Sequence, residues 1–464
     1  MAIGGVTPGS GNNLSSLNKL FQNTSALQRL QERLATGFSI NKASDDPAGL
    51  VVSEMLRSRI AGMGAAVENT QRASNVLATA EGGLNEMSNL LVQARGLAIA
   101  AADTSRDPGE IAAYQSELNG ILSSINRIAN TTQFGGTDLL NGAQAFQIQN
   151  NAPAELAAVN LAQAAPGGGT QTVTVDVTAS ATSADAGALA AVQTGDVTVE
   201  ITGNRGAATV TIAGGTDQAG VADAINAVAG DTGVVVQGNR VVSETAGAEA
   251  TANIRNVSGT LSGITAGEFT GTDAAATVNG TPVSANGNTL DVVAGNIAGT
   301  ITLAEGSGPG TYSFEVRGGG LALQLGPDTT PAGQARLGIP AMTASNLGLV
   351  GTNNTLDTVA EGGANSLAAN PGRAADIIDA AIGQVSQLRG RMGSFQKNTL
   401  DTNMNSLRVG LENIMAAESN IRDTDYAATI TEYLQTRTRQ EANILVLAQA
   451  GNLNAQTVLQ LLGS

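Results

Sequence analysis

Leu20, Leu27 and Leu34 stand seven residues apart near the start of the chain, with Leu17 and Leu30 beside them. A seven-residue apolar repeat leaves few options, because it lines one narrow stripe of an α-helix and supercoils against a partner with a matching stripe. Toward the other end Ile378, Val385, Met392 and Thr399 fall seven apart, and Ala381, Leu388, Phe395 and Thr402 do the same. The register then shifts, and Met404, Leu407, Leu411 and Ile414 continue the seam, as in a long helix whose partner changes along its length. A helix with one narrow stripe is marginal in water by itself. The two ends must therefore pair with each other, with other copies of the chain, or with both.

Between the seams the periodicity changes. Asp45-Asp46-Pro47 marks a turn and a helix start, with Pro in the first turn. Val51, Met55, Ile60, Val67, Val76 and Leu84 then carry a helical pattern on to Leu97. Residues 104–109 read as a loop, and 110–130 as a further helix bearing Leu118, Leu122, Ile125 and Ile128. Residues 172–177, 196–202 and 208–212 alternate as β-strands do, bounded by Gly-Asn and Gly-Gly turns. Residues 216–229 read as a short helix and 233–238 as a buried strand, with further strand signals at 300–303 and 311–316. The fold class expected is α+β: a long α-helical coiled-coil framework from both chain ends, with a β-rich inserted outer domain.

Composition narrows the chemistry. The chain has no Cys, His or Trp, so neither the usual zinc sites nor Ser-His-Asp and Cys-His constellations have residues to build them. Carboxylate chemistry is the main catalytic possibility left, but a hydrolase of that kind needs two acids converging in a cleft and the sequence shows no such pair, so no catalytic residue, metal or cofactor is expected. With so few large apolar side chains, a large jigsaw core is not expected in any one domain. Residues 151–360 hold 17 acids against five Arg and no Lys, a net −12, whereas the two ends together hold 22 acids against 18 bases. That balance argues against nucleic acid and anionic membranes as partners, and leaves the ends nearly neutral, as suits surfaces that meet copies of themselves. No segment reads as a membrane span, and Met1 to Asn13 shows neither the basic region nor the apolar stretch of a cleavable export signal. The Gly-rich stretches 167–169 and 318–320 lack the Lys-Ser/Thr of a phosphate loop and read as hinges or turns.

Several stretches carry a family likeness. Residues 33–49, RLATGFSINKASDDPAG, closely resemble the N-terminal signature of flagellins, and 81–99, EGGLNEMSNLLVQARGLAI, continue it. Residues 132–140, TQFGGTDLL, look like that family's turn after the second helix. At the other end 419–428, SNIRDTDYAA, and 446–450, VLAQA, match the C-terminal signature. The likeness covers roughly the first 145 and last 110 residues. Residues 196–242 are similar to a small β-rich module of flagellin and hook-associated insertions, and 321–349 to the family's return hairpin. The hook–filament junction protein shares a similar N-terminal motif, but the VLAQA stretch and the length favour flagellin. Some flagellins carry a zinc peptidase in the insert, whose HExxH motif this chain lacks.

The resemblance implies a self-polymerising subunit of the extracellular flagellar filament that serves swimming motility. It would be exported unfolded, with a flagellar export chaperone on its C-terminal helix, and would assemble beneath the filament cap and beyond the hook-junction proteins. Its free ends would be disordered until docked. The expected layout is an N-terminal inner-core helix at 1–44, a helical layer at 45–150, a variable β-rich outer insert at 151–318, a return hairpin and C-terminal helical layer at 319–424, and a C-terminal inner-core helix at 425–464. The insert could additionally bind surface glycans. The interface and core residues expected from the motifs are Leu20, Leu27, Arg33, Leu34, Ile40, Asn41, Asp45 and Asp46, together with Ile421, Arg422, Asp425, Tyr426, Leu447 and Leu461. For the aspartates the competing expectation is a capping turn, with Asp425 suited to a helix N-terminus. The family's innate-immune receptor site corresponds to Arg95, Leu97 and Glu117. Gln93 stands where the family commonly has Arg, and Gly96 where it has Glu. Gln lacks the charged fork of Arg, so weakened receptor affinity is expected.

Overall fold

The computed structural model describes residues 8–103, 105–149, 154–164, 170–295, 297–349 and 354–462, with side chains described from Leu14 to Gln449. The expectations for Met1 to Thr7, for the side chains of 8–13, for the turn at 167–169 and for the side chain of Leu461 lie outside the described residues. Three helices open the chain: α1 (Pro8–Thr36), α2 (Pro47–Ala101) and α3 (Pro108–Thr131). A small hairpin, β1 (Gln133–Phe134) with β2 (Thr137–Asp138), follows. Three helices also close it: α6 (Pro371–Phe395), α7 (Thr402–Arg422) and α8 (Tyr426–Leu462). By its contacts the chain forms two compact units, one comprising the residues up to Val67 and from Asn405 onward, the other Glu68–Met404.

The described elements of the first unit are helices joined by short turns. Helices α1 and α8 run antiparallel, with Gln440 donating to the Thr24 hydroxyl at 3.0 Å and Gln31 to the Tyr433 hydroxyl at 3.4 Å. The leucine stripe faces this seam only in part: Leu27 and Leu30 are buried, Leu20 and Leu34 are half-buried, and Leu17 is exposed. The first part of α2 runs antiparallel to α7, with Ser53 opposite Glu418 and with Met63, Ala66 and Leu407 forming a small cluster flanked by Leu411 and Ile414.

The second unit nests one insertion inside another. Its helical layer comes from the rest of α2, from α3 and from α6, closed by the return hairpin β18 (Leu321–Gln324) with β19 (Gln334–Leu337). Inserted there is an eight-stranded antiparallel sheet, ordered β3-β17-β5-β13-β14-β15-β16-β4. Its strands are β3 (Phe146–Gln149), β4 (Leu156–Gln163), β5 (Thr170–Ala179), β13 (Ala275–Val278), β14 (Thr281–Asn286), β15 (Thr289–Ala294), β16 (Ile297–Leu303) and β17 (Gly310–Gly319). The edge strands β3 and β4 approach each other and one core fills the inside, so the sheet curls like a barrel around Phe146, Phe314, Leu290 and Ile301. The chain leaves this sheet after Ala179 and re-enters at Ala275, its cross-strand partner. Between those points lies a second module of two sheets, β6-β10-β9 and β12-β11-β7-β8. It comprises β6 (Ser183–Ala188), β7 (Val197–Gly203), β8 (Gly206–Ile212), α4 (Gln218–Asn226), α5 (Ala229–Thr232), β9 (Val234–Gln237), β10 (Arg240–Ala246), β11 (Thr251–Ser258) and β12 (Gly267–Thr270).

Three expectations are corrected. The helical layer does build a large core, from Leu84, Met87, Leu91, Leu118, Ile125, Ile377 and Val385 among others. Buried alanines such as Ala80, Ala94, Ala381 and Ala129 let the helices approach closely, so numerous small contacts replace large rings. The stretch 233–238 is not a buried strand: β9 is a sheet edge on which Val234 alone is buried. Thr399 and Thr402 do not carry the seam, because Gln396–Asp401 is a π-helical turn. The wider turn absorbs one extra residue, so Leu400 takes the buried place after Met392 and Thr402 faces solvent.

Candidate assembly interface

Within the first unit, the ends of α1 and α7 and the starts of α2 and α8 converge on two short turns. Gly37 ends α1 in the left-handed region, at φ 79°, its N–H bonded to the Arg33 carbonyl at 2.9 Å. A β-carbon there would also stand 3.2 Å from the Tyr426 hydroxyl, so conformation and space both call for Gly. The chain then pairs Phe38 with Asp423 in an antiparallel bridge. Ser39 N–H donates to the Arg422 carbonyl at 2.6 Å, and Thr424 N–H to the Gly37 carbonyl at 2.8 Å. Over this bridge the Arg422 guanidinium sits 4.3 Å from the Phe38 ring centre.

Carboxylates fix the helix starts that follow. Asp46 accepts from the N–H groups of Ala48 and Gly49 at 3.1 and 3.0 Å, and Asp425 from Ala428 N–H at 3.0 Å, so each caps its helix. Asp45 closes the turn onto the N–H groups of Lys42 and Asn41 at 2.9 and 3.1 Å. The bond from Lys42, then that from Asn41, holds the Asp45 carboxyl below the usual carboxylate range. Lys42 pairs with Glu32 at 2.8 Å, and that hydrogen bond raises the affinity of its amine for a proton. Asn41 donates to the Phe38 carbonyl at 2.9 Å, and Ile40 is buried beneath the turn. Ser53 on α2 reaches Glu418 on α7 at 3.1 Å.

The structure thus brings Arg33, Ile40, Asn41, Asp45, Asp46, Ile421, Arg422, Asp425 and Tyr426 to one junction. Leu20, Leu27 and Leu34 lie along α1, and the half-buried Leu447 lies far along α8. Phe38, Ser53 and Glu418 were not singled out from sequence. Phe38 stands inside the 33–49 motif, which was the available signal; the Ser53–Glu418 contact spans most of the chain and left none.

Around this junction the first unit is unusually apolar outside. Phe21 on α1 is 67% exposed, Met55 on α2 63%, and Leu445 on α8 71%, with Leu14, Val51, Leu434, Ile444 and Val446 also open. Among the described residues nothing covers these side chains, and exposed apolar patches of this kind are characteristic of protein–protein contact surfaces. No helix of the described residues is long and apolar enough to cross a membrane.

The receptor-site candidates lie in the second unit. Arg95 is half-exposed and pairs with Asp379 on α6 at 2.5 Å. Leu97 is packed partly against the helical core, and Glu117 is exposed on α3.

Comparison with known proteins adds to this geometry. The profile of the bacterial flagellin N-terminal helical region matches residues 10–145, and that of the C-terminal helical region matches 375–462. The chain is 30% identical to Flagellin D of Vibrio cholerae, an alignment spanning 92% of this chain and 91% of that protein. It is 27% identical to a flagellin of Clostridium tyrobutyricum over 96% of this chain and 97% of the other. Among solved structures, FliC from Burkholderia pseudomallei is similar at 17% identity, over 70% of this chain and 98% of that one, with a TM-score of 0.24.

Proposed function

The chain belongs to the bacterial flagellin family and is a structural subunit of the flagellar filament, and from that premise we propose that the exposed apolar faces of α1, α2 and α8 are where one copy meets the next. The observation that carries this reading is the set of large apolar side chains left open on the first unit, above all Phe21, Met55 and Leu445. Burying one such side chain contributes about 1.5–3 kcal/mol, and a polymer buries several per subunit. The junction at Gly37–Asp46 and Arg422–Tyr426 would set the angle at which those faces are presented.

We place the inner core at 1–44 and 425–464, the helical layer at 45–150 and 319–424, and the outer insert at 151–318, to whose sheet β3 (Phe146–Gln149) and the last residue of β17, Gly319, also belong. The acidic insert, net −12 over 151–360, suits a surface turned to water. Export as an unfolded chain, chaperone capture of the C-terminal helix, and contacts with the cap and hook-junction proteins complete the proposal. We assign no catalytic step to the chain.

Replacing Phe21 or Leu445 by Asp tests the reading. Each variant should keep the circular-dichroism signature of the second unit and fail to form filaments on salting-out, where the unchanged protein polymerises. Filaments of normal length from both variants would refute it.

For the innate-immune receptor we propose weakened binding through Arg95, Leu97 and Glu117. Gln93 and Gly96 remove two charges of the family pattern, and Arg95 is already engaged by Asp379. The double change Gln93→Arg with Gly96→Glu should raise receptor signalling by soluble monomer about ten-fold, the equivalent of one charge-assisted hydrogen bond. Equal signalling before and after the change would remove this part of the proposal.

A further inference from the structure

The second unit contains a cleft bordered by Met342, Leu347 and Leu388 of its helical core. It opens between the outer face of β15 and β16 and the helix α6, as two cavities of about 930 and 580 Å³. Asp291, Gln387 and Arg391 line both. The Nη2 atom of Arg391 is buried and has no hydrogen-bond partner among the described residues. No carboxylate of the described residues lies within ion-pairing distance of its guanidinium. Burial lowers the basicity of this guanidinium, against an opposing pull from Asp291. A buried cationic donor left without an acceptor is costly, and an anionic ligand relieves that cost.

The rest of the wall says which anion. Asn160, Ser284, Asn286, Thr289, Thr300 and Gln384 present amides and hydroxyls, so the ligand must offer several hydrogen-bonding groups. Asp291 stands in the same cleft, and the surrounding insert is strongly acidic, which opposes a doubly charged anion. We propose that the cleft binds a small polyhydroxylated carboxylic acid of the size of a hexuronic acid. Its single carboxylate would sit on the Arg391 fork and its hydroxyls would donate to Asp291 and exchange hydrogen bonds with the strand side chains. This goes beyond the structural role and does not depend on it.

Titration of the full chain with D-glucuronate, followed by ligand-observed NMR and calorimetry, tests the proposal. A dissociation constant on the order of 1 mM is expected, with D-glucose and inorganic phosphate each at least ten-fold weaker. Arg391→Gln should lose glucuronate binding by ten-fold or more, and Arg391→Lys should fall between. Asp291→Asn, which leaves the arginine in place, should tighten phosphate and so reports on the cleft even if Arg391→Gln folds poorly. Equal binding of glucose and glucuronate, phosphate binding tighter than glucuronate, or an unchanged affinity in both Arg391 variants would overturn it. Both Arg391 variants should still polymerise, which keeps this outcome separate from that of the assembly reading.

Discussion

At the scale of single residues, the second unit holds a partly buried charge network that no local pattern announces. Arg205, in the turn between β7 and β8, pairs with Glu244 at 2.7 Å and with Asp376 on α6 at 2.5 Å. Arg373, in the first turn of α6, stands 2.8 Å from the other oxygen of Glu244, close enough for an ion pair though without hydrogen-bond geometry. Burial lowers the basicity of Arg373 even with that carboxylate beside it. The four groups fasten the innermost insertion back onto the helical layer. Removing one member of such a network leaves opposite charges buried without compensation. Glu244→Ala should therefore destabilise the second unit by about 3 kcal/mol, read as a lower midpoint in urea. A midpoint within error of the original would show that the charges merely coexist. These residues lie 171 positions apart in the case of Arg205 and Asp376, and that separation is why the sequence could not reveal them.

At the scale of elements, the helices were legible and the sheets only in part. Heptad repeats make α1 and α6 plain, and a helical spacing of apolar residues does the same for α2 and α3. Strands β5 and β7 show because Val and Thr alternate cleanly along them. Strands such as β11, with TANIRNVS, and β14, with TPVSAN, blur that alternation with Asn, Ala and Pro. The junction was legible through its resemblance to known motifs, but its mechanics were not: nothing in the spelling shows Arg422 lying over Phe38. The shift of register after Met392 was visible, while its cause, one π-helical turn, was not. That cause makes a prediction. Deleting Asn398 leaves Met392, Leu400 and Leu407 at successive seven-residue steps, so an unbroken α-helix can seat them all. Inserting one Ala after Asn398 rotates Leu400 by about 100° off the seam. The deletion should leave the melting temperature nearly unchanged, whereas the insertion should cost about 2–4 kcal/mol through the lost burial of Leu400. Equal melting of the two variants would contradict this account of the turn.

At the scale of the whole molecule, two units divide the labour. Among the described residues Glu68–Met404 contains three hydrophobic cores and a braced insertion. Among its described residues the other unit has one small cluster, a half-covered leucine stripe and a row of apolar side chains facing outward. Helices of that kind gain most of their stability from what they pack against, and on the proposed assembly their order belongs to the polymer more than to the subunit. The most direct measurement is amide hydrogen exchange on α1 and α8, compared between dilute monomer and assembled filament. Exchange within seconds in the monomer, slowing at least a thousand-fold on assembly (about 4 kcal/mol), is the predicted result. Equal, strong protection of both helices in the monomer would contradict it.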